Sequence, residues 1–186
     1  MVELTAEQEA IRQTVNRICR EHVAPRAAEM DRTGEFPWAI IQELARAGLT
    51  SMFFPVEHGG QGKDLVTSTL VVEEIAKFNT ATAHTFTGIA SSRLPLLIAG
   101  SEEQKRRYLP MLIRDAAPTC MSITEPNAGS DVAGMETRAV RDGDHYGLNG
   151  RKCFATNGSV AALYFIFAVT GPGAGARGIS CFLVER

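Results

Sequence analysis

Ser122-Ile123-Thr124-Glu125-Pro126-Asn127-Ala128-Gly129-Ser130-Asp131 passes without a break from a β-branched, strand-like segment into a small-residue loop rich in hydroxyls and backbone donors. Ala128 and Gly129 carry almost no side chain, so such a loop can lie flat against a planar, polar, anionic ligand. A generic turn needs far fewer constraints on residue type. The stretch predicts a strand that ends at a binding loop.

Upstream of it, Thr5 to about Asp115 reads as helical. Thr5-Ala6-Glu7-Gln8 is a capping box, after which Ile11, Val15, Ile18 and Val23 recur at helical spacing. Pro25 and Gly34 punctuate the exit. Pro37 is placed as the first residue of a second helix that turns Ile40, Ile41 and Leu44 inward and stops at Gly48. Asp64 can cap a third helix carrying Leu65, Leu70, Val71, Ile75 and Phe78, and a Thr- and Ala-rich helix follows from about Thr80 to Ser92. Ser101-Glu102-Glu103-Gln104 is a further capping box, opening a helix that ends near Arg114.

After Pro118 the hydrophobic period shortens to that of strands. Cys120 to Thr124, Thr137 to Arg141, Tyr146 to Leu148, Arg151 to Ala155, Leu163 to Val169 and Ile179 to Val184 are the candidates, with Asp142-Gly143 and Asn149-Gly150 as hairpin turns. The expected fold class is therefore multi-domain α and β. An amino-terminal all-α helical bundle over 1–117 precedes an antiparallel β-barrel domain over 118–186, built from meanders and incomplete at the carboxy terminus. Arg186 comes straight after an apolar strand, which predicts an unpaired sheet edge.

Composition narrows the function classes. The 186 residues are 45% hydrophobic with a formal net charge of −2, and Lys and Arg form no blocks, so no footprint for nucleic acid is present. Cys19, Cys120, Cys153 and Cys181 are scattered without a C-x-x-C pair, which suits reduced thiols. Neither they nor His22, His58, His84 and His145 have metal-ligand spacing. The first residues, Met1 to Thr5, have neither a secretory apolar core nor a transit-peptide character, and no apolar run is long enough to span a bilayer.

Two glycine-rich stretches invite a phosphate-binding reading. Pro55 to Gly62 lacks the ordered glycines, Lys and hydroxyl of a P-loop and is taken as a plain loop. Gly173-Ala174-Gly175-Ala176-Arg177-Gly178 fits G-x-G-x-x-G, but the strand-like Ile179 to Val184 follows it where a dinucleotide fingerprint must open a helix. It is expected to be a hairpin loop.

Arg151-Lys152-Cys153-Phe154-Ala155-Thr156-Asn157-Gly158 is the second informative stretch, ending in an aromatic, a small residue, a hydroxyl and a turn. Together with Ser122 to Asp131 it resembles the paired flavin-binding motifs of the acyl-CoA dehydrogenases. The resemblance extends from the first capping box onward, including Leu97-Ile98-Ala99-Gly100-Ser101 and Asn149-Gly150-Arg151-Lys152. The chain departs from the commonest pattern at Met121, where an aromatic is frequent, at Phe154, where Trp is frequent, and at Asn127, which replaces a frequent Gly.

The resemblance implies FAD as cofactor and α,β-dehydrogenation of an acyl-CoA, with hydride passing to flavin N5 and electrons leaving to an electron-transfer flavoprotein. It implies that Met121, Ile123 and Thr124 lie against the isoalloxazine, with Ser122 also among the cofactor contacts. Gly129 and Ser130 would then approach cofactor phosphate or the thioester ligand, Phe154 and Ala155 would pack on the ring system, and Thr156 would bond near N5. His84, Thr87 and Ser91, with Ser130, become candidate substrate contacts, their alternative being ordinary helix packing. Small residues there would leave room for a long or branched acyl chain. Glu125 is expected to tie down its loop, since the family's catalytic base comes from a carboxy-terminal bundle; no catalytic residue is therefore expected in this chain.

Three alternatives stay open: a truncated dehydrogenase lacking its base, one chain of a split enzyme whose separate partner supplies the bundle, and a non-catalytic acyl-CoA- or partner-binding module. The expected assembly is a homo-oligomer or a pairing with that partner chain. Acyl-CoA oxidases share the same motifs. The expected compartment is the cytoplasm of a bacterium or the mitochondrial matrix of a eukaryote.

Overall fold

The computed structural model describes residues 3–186, which divide into two compact units at Ala117/Pro118. Unit one is helical. Its helices are α1 (Ala6–Ile18), α2 (Ala27–Thr33), α3 (Trp38–Arg46), α4 (Leu65–Ala76), α5 (Thr80–Ser91), α6 (Leu94–Ala99) and α7 (Glu102–Arg114). Capping boxes form at Thr5/Gln8 and Ser101/Gln104, each side chain satisfying the other's backbone N–H. Asp64 and Asn79 cap α4 and α5 by accepting the N–H of Thr67 and Thr82.

Pro25 does not end the first helical stretch outright. The chain loosens into a π-helical turn, Cys19–Val23, tightens into a 3₁₀ turn, Ala24–Arg26, and continues as α2 until Gly34 adopts φ 68°. Pro37 sits one residue outside α3, at its N-cap. Helix α6 was not anticipated: Pro95 in its first turn and only six residues leave no periodic signal.

The core of this unit gathers Val15, Ile18, Val23, Ile40, Ile41, Leu44, Val71, Ile75, Phe86 and Ile89, all buried, with Phe53 meeting the edge of Phe86. Each is the inward residue of an i, i+3/i+4 pattern, so burial rather than propensity selects these helices. No described helix is long and apolar enough to cross a membrane.

Unit two is a five-stranded open sheet: β1 (Thr119–Ser122), β2 (Arg138–Asp142), β3 (His145–Asn149), β4 (Leu163–Val169) and β5 (Ile179–Glu185). The β2–β3 and β4–β5 hairpins are antiparallel. Two details differ from a sheet made only of meanders. Strand β1 runs parallel to β4, with Thr119 opposite Leu163, and Arg138 of β2 meets Val169 at the far end of the same β4 edge. The sheet is thus mixed. Its central strand Leu163-Tyr164-Phe165-Ile166-Phe167-Ala168-Val169 is an unbroken apolar run, as expected of a strand paired along both edges.

The second difference is that Arg151–Ala155 forms no strand. Phe154 takes φ 54°, in the left-handed region, and an L-residue there breaks the extended run a ladder requires. The stretch Gly173 to Gly178 lies in the β4–β5 connection and holds a 3₁₀ turn, so no helix opens after it.

Candidate functional site

The loop that follows β1 is a tight reversal. Glu125 N–H donates to Ala128 O at 3.0 Å and Ala128 N–H donates back to Glu125 O at 3.2 Å, with Pro126 and Asn127 at the tip. Its anchor is the carboxylate of Glu125, a residue that is 5% exposed. Oε2 accepts the N–H of Glu136 at 2.6 Å, and Oε1 accepts the N–H of Thr137 at 3.0 Å and Lys152 Nζ at 2.7 Å. Burial alone would push this carboxyl up. Hydrogen bonds from Lys152, Thr137 and Glu136 outweigh that and hold it at about 2.

Residues 151–157 run along the same strand exit. Cys153 N–H donates to Thr124 O at 2.9 Å, Lys152 Nζ donates to Ile123 O at 2.9 Å, and Asn157 Nδ2 donates to Thr119 O at 3.3 Å. The two motifs, about thirty residues apart in sequence, are therefore adjacent and hydrogen-bonded in the fold. Phe154 is 90% exposed in its left-handed conformation. Such backbone strain in a bulky residue costs on the order of 1–3 kcal/mol and collects at ligand sites.

Met121, Ile123, Thr124, Ala155 and Thr156 are half-buried, while Gly129 and Ser130 are exposed. A Cβ built on Gly129 would meet nothing within 4 Å, so the loop backbone there is open to close approach. Ser122 stands apart. Strand alternation turns its side chain to the opposite face from Met121, and its hydroxyl lies buried 3.4 Å from Cys120 Sγ.

The helical unit holds a separate feature. A groove of about 470 Å³ lies between α4 and α5, walled by Phe53, Leu65, Val72, Thr87, Ala90 and Leu94, with Ser68, Thr69 and Ser91 on its sides and Lys63 at one end. Ser68, Thr69 and Thr87 donate their hydroxyls to backbone carbonyls one turn back, at Asp64, Leu65 and Ala83. Those hydroxyl protons are spent within the helices, and the wall is more apolar than its composition suggests. Thr87 and Ser91 line this groove. His84, one turn before Thr87 on α5, is exposed and is not among the residues lining the groove.

Lys152 is the residue that sequence reading passed over. It was visible only as part of Asn149-Gly150-Arg151-Lys152, and nothing local marks a lysine whose three acceptors are supplied by Ile123, Glu125 and Met135.

A helical unit is followed by a mixed sheet in which two strand-exit segments lie side by side, joined by hydrogen bonds. The chain belongs to the acyl-CoA dehydrogenase family: the N-terminal domain of acyl-CoA dehydrogenase matches residues 5–116 and its middle domain matches residues 120–186. A cyclohex-1-ene-1-carbonyl-CoA dehydrogenase of Syntrophus aciditrophicus is 43% identical over all of this chain and 45% of its own length. Butyryl-CoA dehydrogenase from Megasphaera elsdenii superposes with a TM-score of 0.90 at 34% identity, covering 100% of this chain and 50% of that one. A chain from the structural work on the electron transferring flavoprotein of Acidaminococcus fermentans and flavin-based electron bifurcation gives 0.93 at 35% identity, over 100% and 49%. The chain spans about half the length of the curated relatives it matches.

Proposed function

We propose that residues 1–117 and 118–186 are the amino-terminal and middle domains of an FAD-dependent acyl-CoA dehydrogenase, converting an acyl-CoA thioester to its trans-2-enoyl-CoA. One observation carries the assignment: the two motif segments are hydrogen-bonded side by side, with an exposed aromatic in a strained backbone at their junction. The donor set fits a flavin. Met121, Ile123 and Phe154 supply apolar contact, the hydroxyls of Thr124, Ser130 and Thr156 supply polar edges, and Gly129 lets the backbone close in. FAD, when bound, supplies a two-electron hydride acceptor. Hydroxyl and peptide donors placed along its polar edge favour the negative charge that reduction creates.

Within this proposal Thr87 and Ser91 belong to the acyl-binding wall, and the α4–α5 groove takes the acyl chain. Glu125 has no part in proton abstraction. Its carboxylate already accepts three hydrogen bonds, and a group held at about 2 is a poor base at neutral pH. The electron acceptor is an electron-transfer flavoprotein, in keeping with the Acidaminococcus relative.

Titration of FAD into the purified chain tests the cofactor assignment. Quenched flavin fluorescence and a resolved visible band are expected; a spectrum identical to free FAD overturns it. Ala90→Trp, which fills the groove, is expected to weaken acyl-CoA binding at least about tenfold by calorimetry, in line with overpacking a formed pocket. Unchanged binding would remove the groove from the acyl site.

A further inference from the structure

We propose that Lys152 is a positioning residue for the cofactor cradle, aiming the Ile123–Thr124 peptide so that Thr124 presents its N–H to the ligand. The inference rests on the cradle being a flavin site and names the residue that sets its geometry.

The Lys152 side chain is 13% exposed, and its ammonium donates to Ile123 O at 2.9 Å, Glu125 Oε1 at 2.7 Å and Met135 Sδ at 3.6 Å. An ammonium has three protons, and these three acceptors come from the strand exit, the loop anchor and the segment leading into β2. The bond to Ile123 O is the one that reaches the site. A trans peptide is planar, so fixing the carbonyl of Ile123 on the Lys152 side sends the Thr124 N–H to the other side. The next carbonyl, Thr124 O, is fixed independently by Cys153 N–H at 2.9 Å. Both peptide planes flanking Thr124 are thereby locked, and with them the direction of its side chain.

The lock is reciprocal. Lys152 lies two residues before Phe154, so the same contacts that orient Thr124 hold the segment that keeps Phe154 at φ 54°. A charge-assisted bond from Lys152 is stronger than a neutral one, which suits a contact that must oppose local strain. The arrangement makes Glu125 a second-hand participant: it compensates the Lys152 charge, and Lys152 orients the donor.

FAD titrations on the full chain test this, read by flavin fluorescence and by the reduction potential of the bound flavin. Lys152→Met keeps the length of the side chain and removes the donor. With its circular dichroism unchanged, it is expected to bind FAD about tenfold or more weakly and to shift the potential of bound flavin negative, since a donor to the reduced ring is misaimed. Wild-type affinity and potential in Lys152→Met overturn the proposal while leaving the flavin assignment intact. Failure of the wild-type chain to perturb FAD at all overturns both. Should Lys152→Met not fold, Lys152→Arg carries the test: it keeps the charge beside Glu125 but replaces a point donor by a planar fork. Lys152→Arg is expected to fold and to bind FAD severalfold more weakly, and affinity and potential equal to wild type would again overturn the proposal.

Discussion

Glu125→Gln is expected to destabilise the 118–186 unit by about 3–5 kcal/mol at neutral pH, the usual consequence of removing one partner from a buried ion pair. The substitution leaves Lys152, 13% exposed at its side chain, without its countercharge, and weakens the acceptor on which the N–H groups of Glu136 and Thr137 converge. A domain is stable by only about 5–15 kcal/mol, so this is a large fraction of the whole. The pH dependence gives an independent check. In the folded chain the Glu125 carboxyl lies at about 2, against an ordinary value of 4.5. The unfolded state therefore binds more protons between those values. The associated stability, on the order of 3 kcal/mol, is fully present above pH 4.5 and is lost as pH falls toward 2. Urea midpoints measured from pH 7 to pH 2 are expected to fall steeply for the wild type and less so for Glu125→Gln, the two curves converging in acid. Parallel curves would show that the pair contributes no proton linkage.

Glu125 also shows what could be read from the chain and what could not. Its part as a loop anchor is what the family resemblance implies, since the base of that family comes from elsewhere. Its partner Lys152 is 27 positions away, and hydrophobic period carries no information at that range. The same boundary separates the helices from the sheet. Thr5, Asp64 and Ser101 announce their helices because a cap and the donors it satisfies lie within three residues. The β2–β3 and β4–β5 hairpins are equally local. The parallel pairing of Thr119–Ser122 with Leu163–Ile166 is not, and nothing in either strand distinguishes a parallel neighbour from an antiparallel one. Phe154 was legible as an aromatic in a motif, but its left-handed backbone was not, because bulky residues rarely adopt it. That is why Arg151–Ala155 resembled a strand. Ser122 belongs to the same motif, and strand alternation turns its side chain to the face opposite Met121.

Arg93→Met is expected to raise the stability of the helical unit by about 1–3 kcal/mol, from the precedent that well-packed apolar residues outperform buried charges. Arg93 follows Ser91-Ser92 and precedes an apolar run, a setting that offers no sign of a charged core residue. It is nonetheless 0% exposed. Its guanidinium lies 4.8 Å from the ring centre of Phe54, and Nη2 donates to Ala117 O at 3.3 Å. Nε and Nη1 meet no acceptor among the described residues, and no carboxylate pairs with the group in the described ion pairs. Burial accordingly depresses it to about 9 from 12.5. The folded state binds this proton less tightly than the unfolded chain does, so the charge penalises folding at every pH below about 9 and is relieved only above it. Against that stand the 3.3 Å hydrogen bond to Ala117 O and a cation–π contact worth roughly 1–2 kcal/mol when desolvated. Methionine keeps the flexible stem and a polarisable atom over Phe54 while removing the unpaired donors. Thermal unfolding of the two chains decides the sign. A lower midpoint for Arg93→Met would mean that the Phe54 stack and the Ala117 bond outweigh desolvation, and that the arginine is a structural tie rather than a strained one.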